Sequence, residues 1–208
     1  MHIELTEMLR CPEPHREEFL VLSTGEMSGR MVQSGLLGCP VCHKEFEVVD
    51  GVVDFDAEVA AGAPRRPPSA ASPPAGAGRR PTADAATLQA LLDLGGPGGI
   101  VVLVGNAVNE AEGLAALMGG IHFVGVNGPQ GVEELPMLSL LRAKTGIPLR
   151  ASMARGVVIG GDFAKPPWLA EGHRVLLRGR RYVVEGTELP VGIKQLARAE
   201  HLVVGEKA

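Results

Sequence analysis

Aromatic residues are scarce in this chain. Five Phe, one Tyr and one Trp make up 3% of 208 residues. A surface that works by stacking bases on aromatic rings is therefore excluded as its main device. Excess positive charge is also missing: the formal net charge is −4 and the sequence pI about 5.9. Broad, charge-driven binding of nucleic acid is not expected from that balance. No run of about 18 unbroken apolar residues occurs, so no helix should cross a membrane. The first residues carry no basic stretch followed by an apolar one, so no signal peptide is read there. A cytoplasmic protein is the expectation. Cysteine is rare as well, with three in all. An odd, small number does not build a disulfide framework, and a reduced, metal-liganding use fits better. Three reaction signatures are absent: Gly-x-Ser-x-Gly, a phosphate-binding loop ending in Lys-Ser/Thr, and His-Glu-x-x-His.

What is present concentrates at the two ends of the chain. The stretch Gly38-Cys39-Pro40-Val41-Cys42 is a tight turn bearing a Cys-x-x-Cys pair, and the strand-like Phe46-Glu47-Val48-Val49 follows it. Two thiolates at this spacing chelate one metal ion and need two further ligands. Upstream, Cys11 and His15 supply a thiolate and an imidazole. Cys11, His15, Cys39 and Cys42 are therefore read as a zinc site. His43 is a rival ligand, but it directly follows Cys42, where its ring tends to point away. A ribbon with no metal is the other reading. Asp50-Gly51, between Phe46–Val49 and Val52–Phe55, marks a two-residue hairpin turn. Earlier in the ribbon, residues 3–10 read as a short helix or turn and Phe19–Leu22 as a strand. Residues 30–34 are expected to pair back on 35–37.

Residues 57–83 hold nine Ala, six Pro, four Arg, three Gly and two Ser. Such a composition cannot bury enough surface to fold and reads as a semi-extended linker. Its doublets Arg65-Arg66 and Arg79-Arg80 have two readings, contact with phosphate or, the simpler one, keeping the linker soluble. From Asp84, a plausible helix N-cap, the pattern alternates. Helices are expected over 85–94, 106–118, 133–144, 167–177 and 191–198. Strands are expected over 100–104, 121–126, 147–150, 156–160, 182–185 and 201–204. The five-residue apolar run Ile100–Val104 has the look of a strand buried on both faces. The domain reading is residues 1–56, 57–83 and 84–208, and the fold class is α/β: a small β ribbon plus a short, doubly wound, mostly parallel Rossmann-like sheet.

Two resemblances add to this. Leu9-Arg10-Cys11-Pro12, Leu37-Gly38-Cys39-Pro40-Val41-Cys42 and Phe46 to Val53 resemble the zinc-ribbon family of small activator subunits of tRNA and rRNA methyltransferases. The first pair departs from that family, which has Cys-x-x-Cys where this chain has Cys11 and His15. Gly156-Val157-Val158-Ile159-Gly160-Gly161-Asp162 and Leu169 to Gly186 look like the later half of a class I, S-adenosylmethionine-dependent methyltransferase domain. That resemblance implies a cofactor crevice at the carboxyl ends of the strands, lined by Gly105, Asn106, Asn127, Gly161 and Asp162.

The crevice departs from the family in three ways. Its turn, Val104-Gly105-Asn106-Ala107-Val108, holds one glycine, no acid precedes it, and Asn127 stands where a carboxylate would take the ribose. Together these argue against tight binding of the methyl donor. Asp162-Phe163-Ala164-Lys165-Pro166-Pro167-Trp168 faintly echoes an amine-holding loop, but Pro-Pro starting a helix with Trp168 in the core is the simpler reading. His122, alternating with apolar neighbours, reads as structural. The expectation is a non-catalytic adaptor with no catalytic residues. It would bind a protein partner, such as a methyltransferase, or a second copy of itself, through an exposed Val48/Val49/Val52/Val53 edge. The alternative is an active methyltransferase on RNA or a small molecule.

Overall fold

The computed structural model describes residues 1–57, 83–132 and 135–208. The expected linker lies almost wholly outside the described residues, as do its arginine doublets. A 3-10 turn, Ile3–Met8, opens the chain, with the His2 side chain accepting from the Glu4 amide. Six short strands follow: β1 (Val21–Thr24), β2 (Met27–Ser28), β3 (Met31–Val32), β4 (Gly35–Gly38), β5 (Glu45–Val49) and β6 (Val52–Asp54). Asp50 and Gly51 both take positive φ, which is why Asp-Gly suits the turn joining β5 to β6. The expected pairing of 30–34 on 35–37 is not what forms. Met31 and Val32 pair with β2, and β4 pairs with β1 and β5.

The second half contains α1 (Ala85–Leu92), β7 (Ile100–Val104), α2 (Ala111–Leu117), β8 (His122–Val126), β9 (Leu138–Arg142), β10 (Ala154–Ile159), α3 (Trp168–Val175), β11 (Leu176–Val184), β12 (Ile193–Ala199) and β13 (Leu202–Lys207). Asp84 caps α1 through Thr87 N–H, 2.8 Å away. Two expected helices are strands. Of the expected helix 133–144, residues 133 and 134 lie outside the described residues and Leu138–Arg142 form β9, held between β8 and β6; residues 193–198 of the expected helix 191–198 belong to β12. Residues 147–150 form no strand, only a single bridge from Leu149 to Leu9.

All but two strands belong to one 11-stranded sheet, in the order β1-β4-β5-β6-β9-β8-β7-β10-β11-β13-β12. The pairs from β6 through β11 are parallel, and the pairs outside them antiparallel. This is the expected mixed α/β architecture with a largely parallel, Rossmann-like centre. The ribbon is part of it. β6 pairs with β9 in register Val52↔Leu140, Val53↔Leu141 and Asp54↔Arg142. The apolar edge expected to face a partner is thus consumed inside the chain, and Val48 and Val53 are buried.

Two cores lie on opposite faces of the sheet. On one face Leu88, Leu92 and Leu114 of α1 and α2 cover Val101, Leu103 and Phe123. On the other, Trp168 and Val175 of α3 share a core with Leu5, Leu9, Phe46 and Phe55 of the ribbon, over Val102, Val104 and Val124. Even and odd residues of β7 go to different cores, so the whole strand is apolar. The ribbon does for the second face what further helices do elsewhere: it removes the sheet's apolar side chains from water, each fully buried one contributing about 1.5–3 kcal/mol. No described helix is long and apolar enough to cross a membrane.

Candidate metal centre and switch-point crevice

The turn carrying Cys39 and Cys42 is closed by the Cys39 amide donating to Lys44 O (2.9 Å) and the His43 amide donating to Cys39 O (3.0 Å). Opposite it, the loop after Leu9 brings in Cys11 and His15. One ligand atom each from Cys11, His15, Cys39 and Cys42 falls within a 4.8 Å cluster. Cys11 Sγ lies 3.6 Å from Cys42 Sγ, and Cys39 Sγ lies 3.4 Å from His15 Nε2. Two thiolates around a tetrahedral zinc, at about 2.3 Å each, stand about 3.8 Å apart, so the set fits that ion. The other ring nitrogen, His15 Nδ1, is 2.7 Å from Arg16 O. A bond there leaves Nε2 free to bind metal, the usual outer support of a ligating imidazole. His43 is not in the cluster.

The thiols are unequal before metal enters. Burial, with the neighbouring thiols, pushes Cys11 up to about 12. Burial acts the same way on Cys39, but the Cys42 and Val41 amides outweigh it and bring that thiol down to about 7. Cys39 is thus the natural first thiolate, and a dication would deprotonate the rest.

The parallel strands place their carboxyl ends at a switch point between β7 and β10, where chain order runs outward in both directions and ligands of such sheets sit. Gly105 has φ +67°, and a Cβ there would meet the Phe163 ring at 2.5 Å. Asn106 is buried and donates to Glu185 Oε2 at 3.0 Å, while its Oδ1 finds no partner. Asn127 has φ 54°, and its amide is spent on Ala143, donating to that residue's O (2.7 Å) and accepting from its N–H (3.0 Å). Asp162 sits in the 3-10 turn Gly161–Phe163, half-buried. Trp168 is buried edge-on to Phe163, centroids 4.9 Å apart, which makes it core. Sequence reading missed Glu185. It is buried at the end of β11 and also accepts from Gly161 N–H at 3.3 Å. A glutamate directly ending an apolar strand was the available signal. His122 bonds Ser139 Oγ at 2.8 Å beside the His2 ring, and burial lowers its pKa to about 4.

No family model and no curated protein matches this sequence. Similar solved structures include a complex of the Haloferax volcanii Trm112 methyltransferase activator, at 18% identity over 48% of this chain and 50% of that one, TM-score 0.39. Geranyl diphosphate methyltransferase with GPP and sinefungin matches at 19% identity over 48% of this chain and 43% of that one, TM-score 0.40. The antibiotic-resistance methyltransferase Kmr matches at 14% identity over 60% of this chain and 93% of that one, TM-score 0.41. The match spans half or less of the first of these structures. None of these likenesses assigns a role to a residue of this chain.

Proposed function

We propose that the chain is a non-catalytic adaptor. Its zinc-stapled ribbon is built into a Rossmann-like sheet, and its function is to bind a protein. Resemblance makes a methyltransferase the first candidate partner, and a second copy of the chain the next. One observation carries the reading. The residues that would grip a nucleoside cofactor are committed internally: Phe163 over Gly105, Asn127 to Ala143, and Asn106 to Glu185. Displacing them would leave buried polar groups unpaired, at about 1–3 kcal/mol each. Zinc would be held by Cys11, His15, Cys39 and Cys42, where it supplies cross-linking of the ribbon rather than chemistry.

The sheet offers two outer strands to a partner. β12 carries Lys194, Arg198 and a register shift, all of which discourage edge pairing. β1 (Val-Leu-Ser-Thr) carries no charge, and Val21 is 63% exposed. A partner strand would therefore add to β1. The second reading, an active methyltransferase, draws on the carboxylates of Asp162 and Glu185 standing at the carboxyl ends of β10 and β11.

Calorimetric titration with S-adenosylmethionine separates the two. The adaptor reading expects no heat of binding with the native chain, and measurable binding only after Phe163→Ala opens the turn. Micromolar binding to the native chain would overturn it. Light scattering alone and with a candidate methyltransferase should reveal a complex that Val21→Lys abolishes.

A further inference from the structure

We propose that the cavity between His2 and His122 is a copper(I) site, with Met8 and Met137 supplying thioether ligands. It lies at the amino ends of β7 and β8, opposite the carboxyl-end crevice, and uses none of the Cys11, His15, Cys39 and Cys42 cluster.

The cavity forms where the 3-10 turn Ile3–Met8 meets the starts of β7 and β8. It has a volume of about 220 Å³, and its walls include His2, Leu5, Met8, Ile100, His122 and Met137. The two imidazole rings stand with centroids 5.1 Å apart and planes tilted by 54°. An imidazole nitrogen lies about 1.1 Å from its ring centre and a bound ion about 2 Å beyond it, so two rings on one tetrahedral ion have centres about 5 Å apart. The spacing of His2 and His122 matches that value.

Each ring is held from behind. Ser139 Oγ, fully buried on β9, lies 2.8 Å from His122 Nε2 and accepts from the His2 amide at 2.9 Å, so one hydroxyl fixes both residues. With Nε2–H donating to Ser139, the lone pair of His122 is on Nδ1. His2 is held by its other nitrogen: Nδ1 lies 3.4 Å from the Glu4 amide and 4.0 Å from the Glu4 carboxylate. Nε2 is left for an ion, and the proton it carries in the free chain moves to Nδ1, toward that carboxylate. An oxygen behind the ring is the usual outer support of a ligating imidazole.

The rest of the wall selects the ion. Glu4 also borders the cavity, but its Oε1 is paired with Arg30. Among the described residues no cysteine lines it. Zinc takes thiolate, imidazole and carboxylate, and would find only the two imidazoles here. Copper(I) takes imidazole and thioether alike, so the two methionines complete a soft set of four.

Copper(I) also favours thiolates, so the site is read at its own ring nitrogens. The full zinc-loaded chain is titrated anaerobically with copper(I) against a colorimetric chelator, zinc is followed by elemental analysis, and the imidazole nitrogens by long-range proton–nitrogen NMR. The expected result is about one copper per chain with zinc retained, and shifts at His2 Nε2 and His122 Nδ1. Met8→Leu/Met137→Leu keeps the side-chain volume. It should weaken copper binding by about tenfold or more and leave the melting temperature of the copper-free chain unchanged. Absence of copper binding overturns the proposal. So does copper that displaces zinc while both rings stay unmoved, and so does an affinity indifferent to the double methionine change.

Discussion

At the scale of single residues, the candidate metal ligands and one carboxylate carry the sharpest expectations. Cys39→Ser should release the metal, seen as the fall from about one zinc per chain toward none in elemental analysis of the purified protein. Glu171 ties the ribbon to α3. It accepts from Arg174 at 2.7 Å, Arg10 at 3.3 Å and Ile147 N–H at 3.1 Å. Burial opposes its charge, but the Arg174 bond and the two positive charges win, so its pKa lies below the usual glutamate value. A carboxylate depressed in the fold contributes stability that is fully present above its unfolded pKa. That stability is lost as pH falls through the folded value. His122 adds to the same acid lability. Its folded pKa of about 4 against 6.5 means that the unfolded chain takes up the proton first, so stability falls as pH drops from 6.5 toward 4. Urea midpoints should therefore decline steadily between these values. Glu171→Gln should lower the midpoint at pH 7 and flatten the further decline below about pH 4.5, and an unchanged slope there would remove Glu171 from the account.

Much at this scale was legible in the sequence. Asp84 and the Asp50-Gly51 turn are local, set by hydrogen bonds and φ within a few residues. Cys11, His15, Cys39 and Cys42, which the fold gathers into one cluster, could be named because thiolate pairs at turns have few other uses. Asn127 was legible only as a position. Its engagement with Ala143 depends on β8 and the end of β9 being neighbours, which no local pattern encodes. Glu185 was visible only as an acid ending an apolar strand; its engagement was hidden for the same reason, since its partners Asn106 and Gly161 lie in the turns that follow β7 and β10.

At the scale of elements, β7, β8, β10 and β13 could be read, and β9 and β12 could not. Leu135, Leu138 and Leu141 have helical spacing, yet β9 is clasped between β8 and β6, with Leu138 and Leu141 going to opposite cores. Short apolar runs do not distinguish a buried strand from a helix turn. β12 has six of its seven residues exposed, so its strand form is imposed by pairing with β13 rather than by any pattern of its own. Because Leu141 is fully buried in the core that ribbon and sheet share, Leu141→Ala should cost about 2–5 kcal/mol. Thermal unfolding should still show one transition by both ribbon and sheet probes. Two separated transitions would mean that the ribbon folds apart.

At the scale of the whole molecule, the ribbon's strands continue the sheet on one side and its apolar residues share the core on one face, though sequence alone placed it beyond a linker. A ribbon of this size buries too little to hold itself, and its metal would supply much of what keeps β6 in place. Removing that metal should therefore be felt beyond the ribbon, at the strand it covers. The most direct measurement is amide hydrogen exchange across residues 138–142, with zinc bound and after chelation. The account predicts that β9 loses protection together with residues 35–54 when zinc is removed, while β7 and β10 keep theirs. Full protection of β9 in a chelated chain whose ribbon exchanges freely would contradict it.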